Sequence, residues 1–102
     1  MIGIDIHGST LITLSATPSA AQFTNGLSGG WYEVKAKTSD IYVKTIEAGG
    51  AETITLAGGD TIYQIWRGNT RRVRVRENGK IGVICLPGEP AMTVEINRVW
   101  AP

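Results

Sequence analysis

Cysteine and histidine are nearly absent, with one of each, Cys85 and His7, in 102 residues. A single cysteine excludes an intrachain disulfide and a cysteine-based zinc site, and a single histidine excludes any mechanism or metal cage that needs two. Neither sign of charge dominates. Ten Lys/Arg against nine Asp/Glu leave a formal charge of +1, which argues against a chain built mainly to coat nucleic acid or an anionic membrane. Long apolar runs are missing too, so no helix spanning a bilayer is expected. The opening residues 1–8 carry no basic region and place Asp5 inside a short apolar run. No signal peptide is therefore expected, and the protein is expected to stay soluble after synthesis in a cytoplasm. What is present suits a core. Hydrophobic residues make up 42% and charged residues only 19%, the balance of a folded chain and not of a disordered one. The length is that of one domain, expected to cover residues 1–102.

Ile, Val, Thr, Tyr, Phe and Trp supply more than a third of the sequence, and these residues fit a pleated, half-buried surface. Thirteen glycines and four prolines fall mostly between such runs, as turn punctuation. No window carries a sustained helical stripe. Strands are expected over 2–6, 11–15, 21–24, 31–37, 41–46, 53–56, 61–67, 72–76, 80–86 and 92–100. In the run 31–37, Tyr32, Val34 and Ala36 alternate with Glu33, Lys35 and Lys37. In 41–46, Ile41 and Val43 oppose Tyr42 and Lys44. Eight to ten short strands in about a hundred residues fit an all-β, antiparallel β-sandwich or jelly-roll-like fold better than one open sheet.

The segment 71–85 is the most informative. Asn78-Gly79 between two β runs is a strong hairpin signal. A two-residue turn places Val75 opposite Gly82, with Ile81 and Val83 on the arginine face. A three-residue loop, with Gly79 as a left-handed bulge residue, instead pairs Val75 with Ile81 and Val73 with Val83. The second register gathers the β-branched residues on one face and is preferred on burial. It leaves Arg72, Arg74, Arg76 and Lys80 outside, with Gly82 and Ile84 among them. A row of charges is first of all a solvated face, or an edge blunted against aggregation. It also suits a contact with an acidic partner, because the arginine fork binds carboxylates bidentately and its stem packs on neighbours. Phosphate binding is the weaker alternative, since nothing else in the near-neutral chain extends the row.

Site chemistry is thin. Asp5, His7 and Ser9 share one face of an extended strand, yet alternate residues are about 6–7 Å apart, too far for a direct Ser–His bond. Polar surface near a turn is the better reading. His7 and Asp5 give only two metal ligands. Calcium at Asp40 or Asp60 lacks an acidic cluster, and the turn at 58–61 has no following lysine or helix to cradle phosphate. Cys85, between Ile84 and Leu86, reads as a small buried hydrophobe. No catalytic residue, cofactor or metal is expected. Trp31, Tyr32, Tyr42, Tyr63, Trp66 and Trp100 are core fillers by default, or a stacking platform for sugar rings. Trp31 and Trp100 fall at strand ends, where exposed tryptophans more often mark protein contacts.

A Leu-Ile-Thr-Leu-Ser run at 11–15, the strand Asp40-Ile-Tyr-Val-Lys44, an Ala-Gly-Gly-Asp-Thr turn at 57–61 and Arg-Val-Arg-Val-Arg at 72–76 together resemble the small structural proteins of tailed-phage virions. Among these are capsid decoration or cement proteins and head-fibre or spike-base proteins. The resemblance covers most of the chain in style and spacing, without a diagnostic motif. It implies a non-enzymatic virion component, often trimeric, that self-associates and binds the major capsid protein or another virion protein. A role in assembly agrees with the physics of a small β domain, whose strand edges gain protection from a symmetric neighbour. The expected contacts are Arg72, Arg74, Arg76 and Lys80 with Trp31 and Trp100. The alternative is a carbohydrate-binding module using Trp31, Trp66 or Trp100.

Overall fold

A computed structural model describes residues 11–56, 58 and 60–99. Within them the protein is all-β. Eight strands follow in order: β1 (Leu11–Ala16), β2 (Gln22–Phe23), β3 (Gly30–Lys35), β4 (Ile41–Ile46), β5 (Tyr63–Ile65), β6 (Thr70–Val75), β7 (Lys80–Cys85) and β8 (Met92–Val99). They form two four-stranded antiparallel sheets, β1-β8-β3-β6 and β2-β7-β4-β5. This order is a jelly roll. The chain doubles back between β4 and β5, pairing β4 with β5, β3 with β6, β2 with β7 and β1 with β8, and successive pairs alternate between the two sheets.

Alternation decides which side chains meet between the sheets. Val34, Val94, Ile96, Val73 and Val75 point in from the first sheet, and Ile41, Val43, Ile65, Ile81, Val83 and Cys85 from the second. All are buried in one cluster, with Ile12 and Leu14 of β1 packed against it. Burial of each such side chain contributes roughly 1.5–3 kcal/mol. The second sheet is also covered on its outside. A Cβ on Gly82 would run into the Phe23 ring, so this glycine lets the aromatic ring of edge strand β2 lie against β7. The connection 47–62 is tied to the same face. Lys44 Nζ reaches Asp60 Oδ1 at 2.9 Å and the Thr53 carbonyl at 2.9 Å, and Lys80 pairs with Glu52.

The end of the sandwich formed by 17–21, 36–40, 66–69 and 86–91 is closed by polar groups. Asp40 Oδ1 accepts the Arg67 N–H at 2.7 Å, and Glu89 accepts the Asp40 N–H at 2.9 Å and the Arg67 guanidinium at 3.1 Å. The buried Ser39 hydroxyl donates to the Pro90 carbonyl at 2.6 Å.

The hairpin expected at Asn78-Gly79 is not formed. Strand β6 pairs with β3 and β7 with β4, in different sheets, so the turn carries the chain across the core. Val73, Val75, Ile81 and Val83 are therefore buried in one core cluster while belonging to different sheets. Burial is met without pairing, which is why a burial argument chose a register that does not exist. Asn78, at φ 64°, takes the left-handed position expected of Gly79; asparagine tolerates this conformation. Gly79 answers a different demand. A Cβ there would approach the Ile46 carbonyl oxygen at 2.8 Å and that of Arg76 at 2.9 Å.

The run 53–56 is not a strand either. The Thr53 carbonyl and the Thr55 N–H are taken by the side chains of Lys44 and Asp60 instead of by a neighbouring strand. The strand expected at 2–6 lies outside the described residues.

Candidate functional site

Strand β6 ends the order of the first sheet, and no described strand pairs with its outer side. Its inward positions are the buried Val73 and Val75, which leaves Arg72 and Arg74 on the outer face. Cross-strand register puts Trp31 directly beside Arg74 and Glu33 beside Arg72. Four of the six expected contact residues are thus gathered at one place: Trp31, Arg72, Arg74, and Arg76 just past the strand end. Lys80 is not with them. It begins β7 in the opposite sheet and pairs with Glu52; Gly82 and Ile84 lie in the same strand, because the crossing turn separates the two halves of the expected row. Trp100 lies outside the described residues, as do Asp5, His7 and Ser9.

The arginines differ in what holds them. Arg71 stacks its guanidinium over the Tyr63 ring, 4.2 Å from the centroid, and so bridges the β6 edge to the β5 edge. Arg72 lies 3.8 Å from Glu33. Arg76 lies 3.5 Å from Glu47, but these side chains are 77% and 71% exposed, so the pair contributes at most a few tenths of a kcal/mol. Arg74 makes no ion pair with any described residue. It is exposed.

Two hollows flank it. One, of about 250 Å³, lies between the end of β4 (Thr45, Ile46, Glu47) and the end of β6 (Arg74, Val75, Arg76). It lies where β5, only three residues long, stops after pairing with Ile41, Tyr42 and Val43, leaving the last half of β4 with no described strand on that side. The other, of about 460 Å³, lies between Gly29, Gly30 and Trp31 and the segment from Arg74 to Glu77. The end of β6 forms the ridge between them.

The surrounding loops are firmly tied. Leu27 exchanges main-chain bonds with Asn78 and Gly79 at 2.7 and 2.8 Å. The Gly29 N–H donates to Glu77 Oε1 at 2.9 Å, and the Arg98 guanidinium donates to the Gly29 carbonyl at 2.9 Å. The Tyr32 hydroxyl donates to the Ser28 carbonyl at 2.7 Å, and burial pushes its pKa above the usual phenol value. This end therefore offers a preformed surface.

Other candidates are committed elsewhere. Cys85 is buried, with its Sγ 3.6 Å from the Pro90 carbonyl, and burial raises its thiol pKa, which disfavours the nucleophilic thiolate. Asp60 serves Lys44 and the amides of Thr55 and Thr61, which hold its carboxyl below the usual range. Among the described residues no three His, Cys, Asp or Glu side chains converge as metal ligands, and no helix is long and apolar enough to cross a membrane. Trp66, 59% exposed, follows β5 at the opposite end from Trp31, so these two tryptophans do not share a platform. The notch beside β6 carried no signal in the sequence, since it depends on where β5 stops. No family model matches the chain, and neither a search of curated proteins nor one of solved structures returns a match.

Proposed function

We propose that this protein is a non-enzymatic structural component of a virion, one that self-associates and docks on a capsid surface or vertex complex through the ridge of β6. The observation that carries the reading is Arg74, a cation with no ion-pair partner among the described residues, on a sheet edge with no described strand beyond it, set beside Trp31 and between two hollows on a tied-down end of the sandwich. A rigid surface with an unsatisfied charge and an aromatic neighbour suits recognition of another protein. The virion setting is suggested by the resemblance of the sequence to small tailed-phage proteins. It is supported by fold-level analogy, since jelly rolls recur in viral capsid domains. For self-association, strand β1 supplies a second free edge of the described sheet, with Leu11 54% exposed at its start. A symmetric contact there shields main chain and apolar area together.

Light scattering on the purified protein, followed by co-sedimentation with empty capsids, tests this reading. A defined oligomer, a trimer by expectation, that pellets with the particles supports it. A monomer that stays in the supernatant ends it.

A second reading rests on Trp66. Jelly rolls also serve as lectin domains, and an exposed tryptophan stacks well on a sugar ring. Glycan-array binding that disappears in Trp66→Ala favours carbohydrate recognition, and an empty array removes it.

A further inference from the structure

The edge of β6, beyond which no described strand lies, has a polarity that selects its occupant. The Ala36 N–H donates to the Asn69 carbonyl at 2.9 Å, which fixes the phase of the β3–β6 ladder. By the alternation of antiparallel pairs, residues 71, 73 and 75 then turn their main chain toward β3, while Thr70, Arg72 and Arg74 turn theirs outward. The same two residues that present guanidinium groups on the outer face thus also turn amide and carbonyl groups toward the edge, where no described strand pairs with them. A strand laid against β6 meets both at once, and its alternate side chains fall beside Arg72, Arg74 and, past the strand end, Arg76.

A second copy of this chain is a poor occupant. Two β6 edges facing one another juxtapose arginines, which is destabilising. The other described edge strands carry no carboxylate either: β1 is Leu-Ile-Thr-Leu-Ser-Ala, β2 is Gln-Phe and β5 is Tyr-Gln-Ile. The outward charges of β6 are therefore uncomplemented by any described edge of the chain itself.

We propose that β6 is a strand-addition site for an extended segment of a partner protein with acidic residues at alternate positions. The segment extends the first sheet to five strands, sets a carboxylate against Arg74, and competes with Glu33 and Glu47 for Arg72 and Arg76. This rests on the reading of the chain as a docking module and specifies the chemistry that the module recognises. Edge arginines also discourage uncontrolled pairing. The two roles are compatible, because a positive edge rejects most strands and accepts an acidic one.

The test uses the full chain and a short synthetic peptide alternating glutamate with threonine, titrated by fluorescence anisotropy. Saturable binding is expected, weakened about tenfold or more by Arg74→Glu and less by Arg74→Gln. Lys80→Glu, on the other sheet, is expected to leave it unchanged. Peptides N-methylated at alternate residues separate strand addition from simple charge pairing. One of the two methylation patterns abolishes binding and the other preserves it. Equal binding by both patterns, equal binding of a lysine–threonine peptide, or preference for an oligothymidylate overturns the proposal. If the acidic peptide fails to bind while the protein still pellets with capsids, strand addition falls and the docking reading stands.

Discussion

At position 79 a hydrogen is the largest substituent the fold accepts. The two closest atoms to a Cβ there are main-chain oxygens, those of Ile46 and Arg76 at 2.8 and 2.9 Å, with Val75 Cγ1 also at 2.9 Å. Carbonyl oxygens fixed by neighbouring strands do not yield as a flexible side chain would. Gly79→Ala is expected to lower stability by about 1–3 kcal/mol, as overpacking does, in urea denaturation followed by tryptophan fluorescence. Asn78→Gly is expected to stay within about 0.5 kcal/mol of the parent, because glycine adopts a φ of 64° without strain. Equal stability of Gly79→Ala and the parent contradicts the crossing geometry. The dipeptide was recognised in the sequence as a turn, but Asn78, not Gly79, holds the left-handed position. Only the close approach of Ile46, a residue more than thirty positions earlier in the chain, reveals why.

Among the elements, the connection 47–62 depends most on a few charges. The Asp60 carboxylate accepts the Thr55 N–H at 2.8 Å and binds Lys44, and these contacts hold its pKa below the ordinary value. A carboxyl with a folded pKa lower than its unfolded one, about 3.9, contributes stability that is fully present above that unfolded value. The contribution is lost as pH falls through the lower folded value. Asp60→Asn is therefore expected to be less stable than the parent near neutrality, with faster exchange of the Thr55 amide. The gap should narrow as the pH drops below about 4. A gap that widens on acidification contradicts this account of Asp60.

The faces of the strands were largely legible in the sequence. Tyr32, Val34, Ala36, Ile41 and Val43 are buried where alternation places them, because a pleated strand has a fixed period of two. Pairing was not legible. The run 53–56 has strand composition but gives its main-chain groups to Lys44 and Asp60. The run at 80–85 was assigned to a hairpin with β6 because an Asn-Gly turn looks the same whether it joins neighbours or crosses between sheets. Proton NMR separates the two arrangements. Contacts between the α-protons of β4 and β7 and of β3 and β6 are expected, and none between β6 and β7. A β6–β7 cross-strand contact contradicts the jelly-roll order.

The whole molecule is a two-layered body with unlike outer faces. The second sheet is overlaid by Phe23 and by the connection held through Lys44 and Lys80. On the first sheet Trp31, Glu33, Arg72 and Arg74 share the outer face, which ends at the edge of β6, with no described strand beyond it. Composition foretold the sandwich, and all four residues gathered at that edge were named in the sequence, three from the arginine-rich run and Trp31 from its place at a strand end. Lys80 was misplaced because a row that is continuous in the sequence is split by a change of sheet. Trp31 came within reach through the β3–β6 register, which no local pattern encodes.

The proposed docking runs through this edge. Hydrogen exchange measured on the protein bound to empty capsids, against the free protein, tests it most directly. Slowed exchange concentrated in residues 70–76 and at Trp31, with 47–62 unchanged, is the expected result. Protection confined to the outer face of the second sheet, or bound protein with no protection along β6, contradicts it.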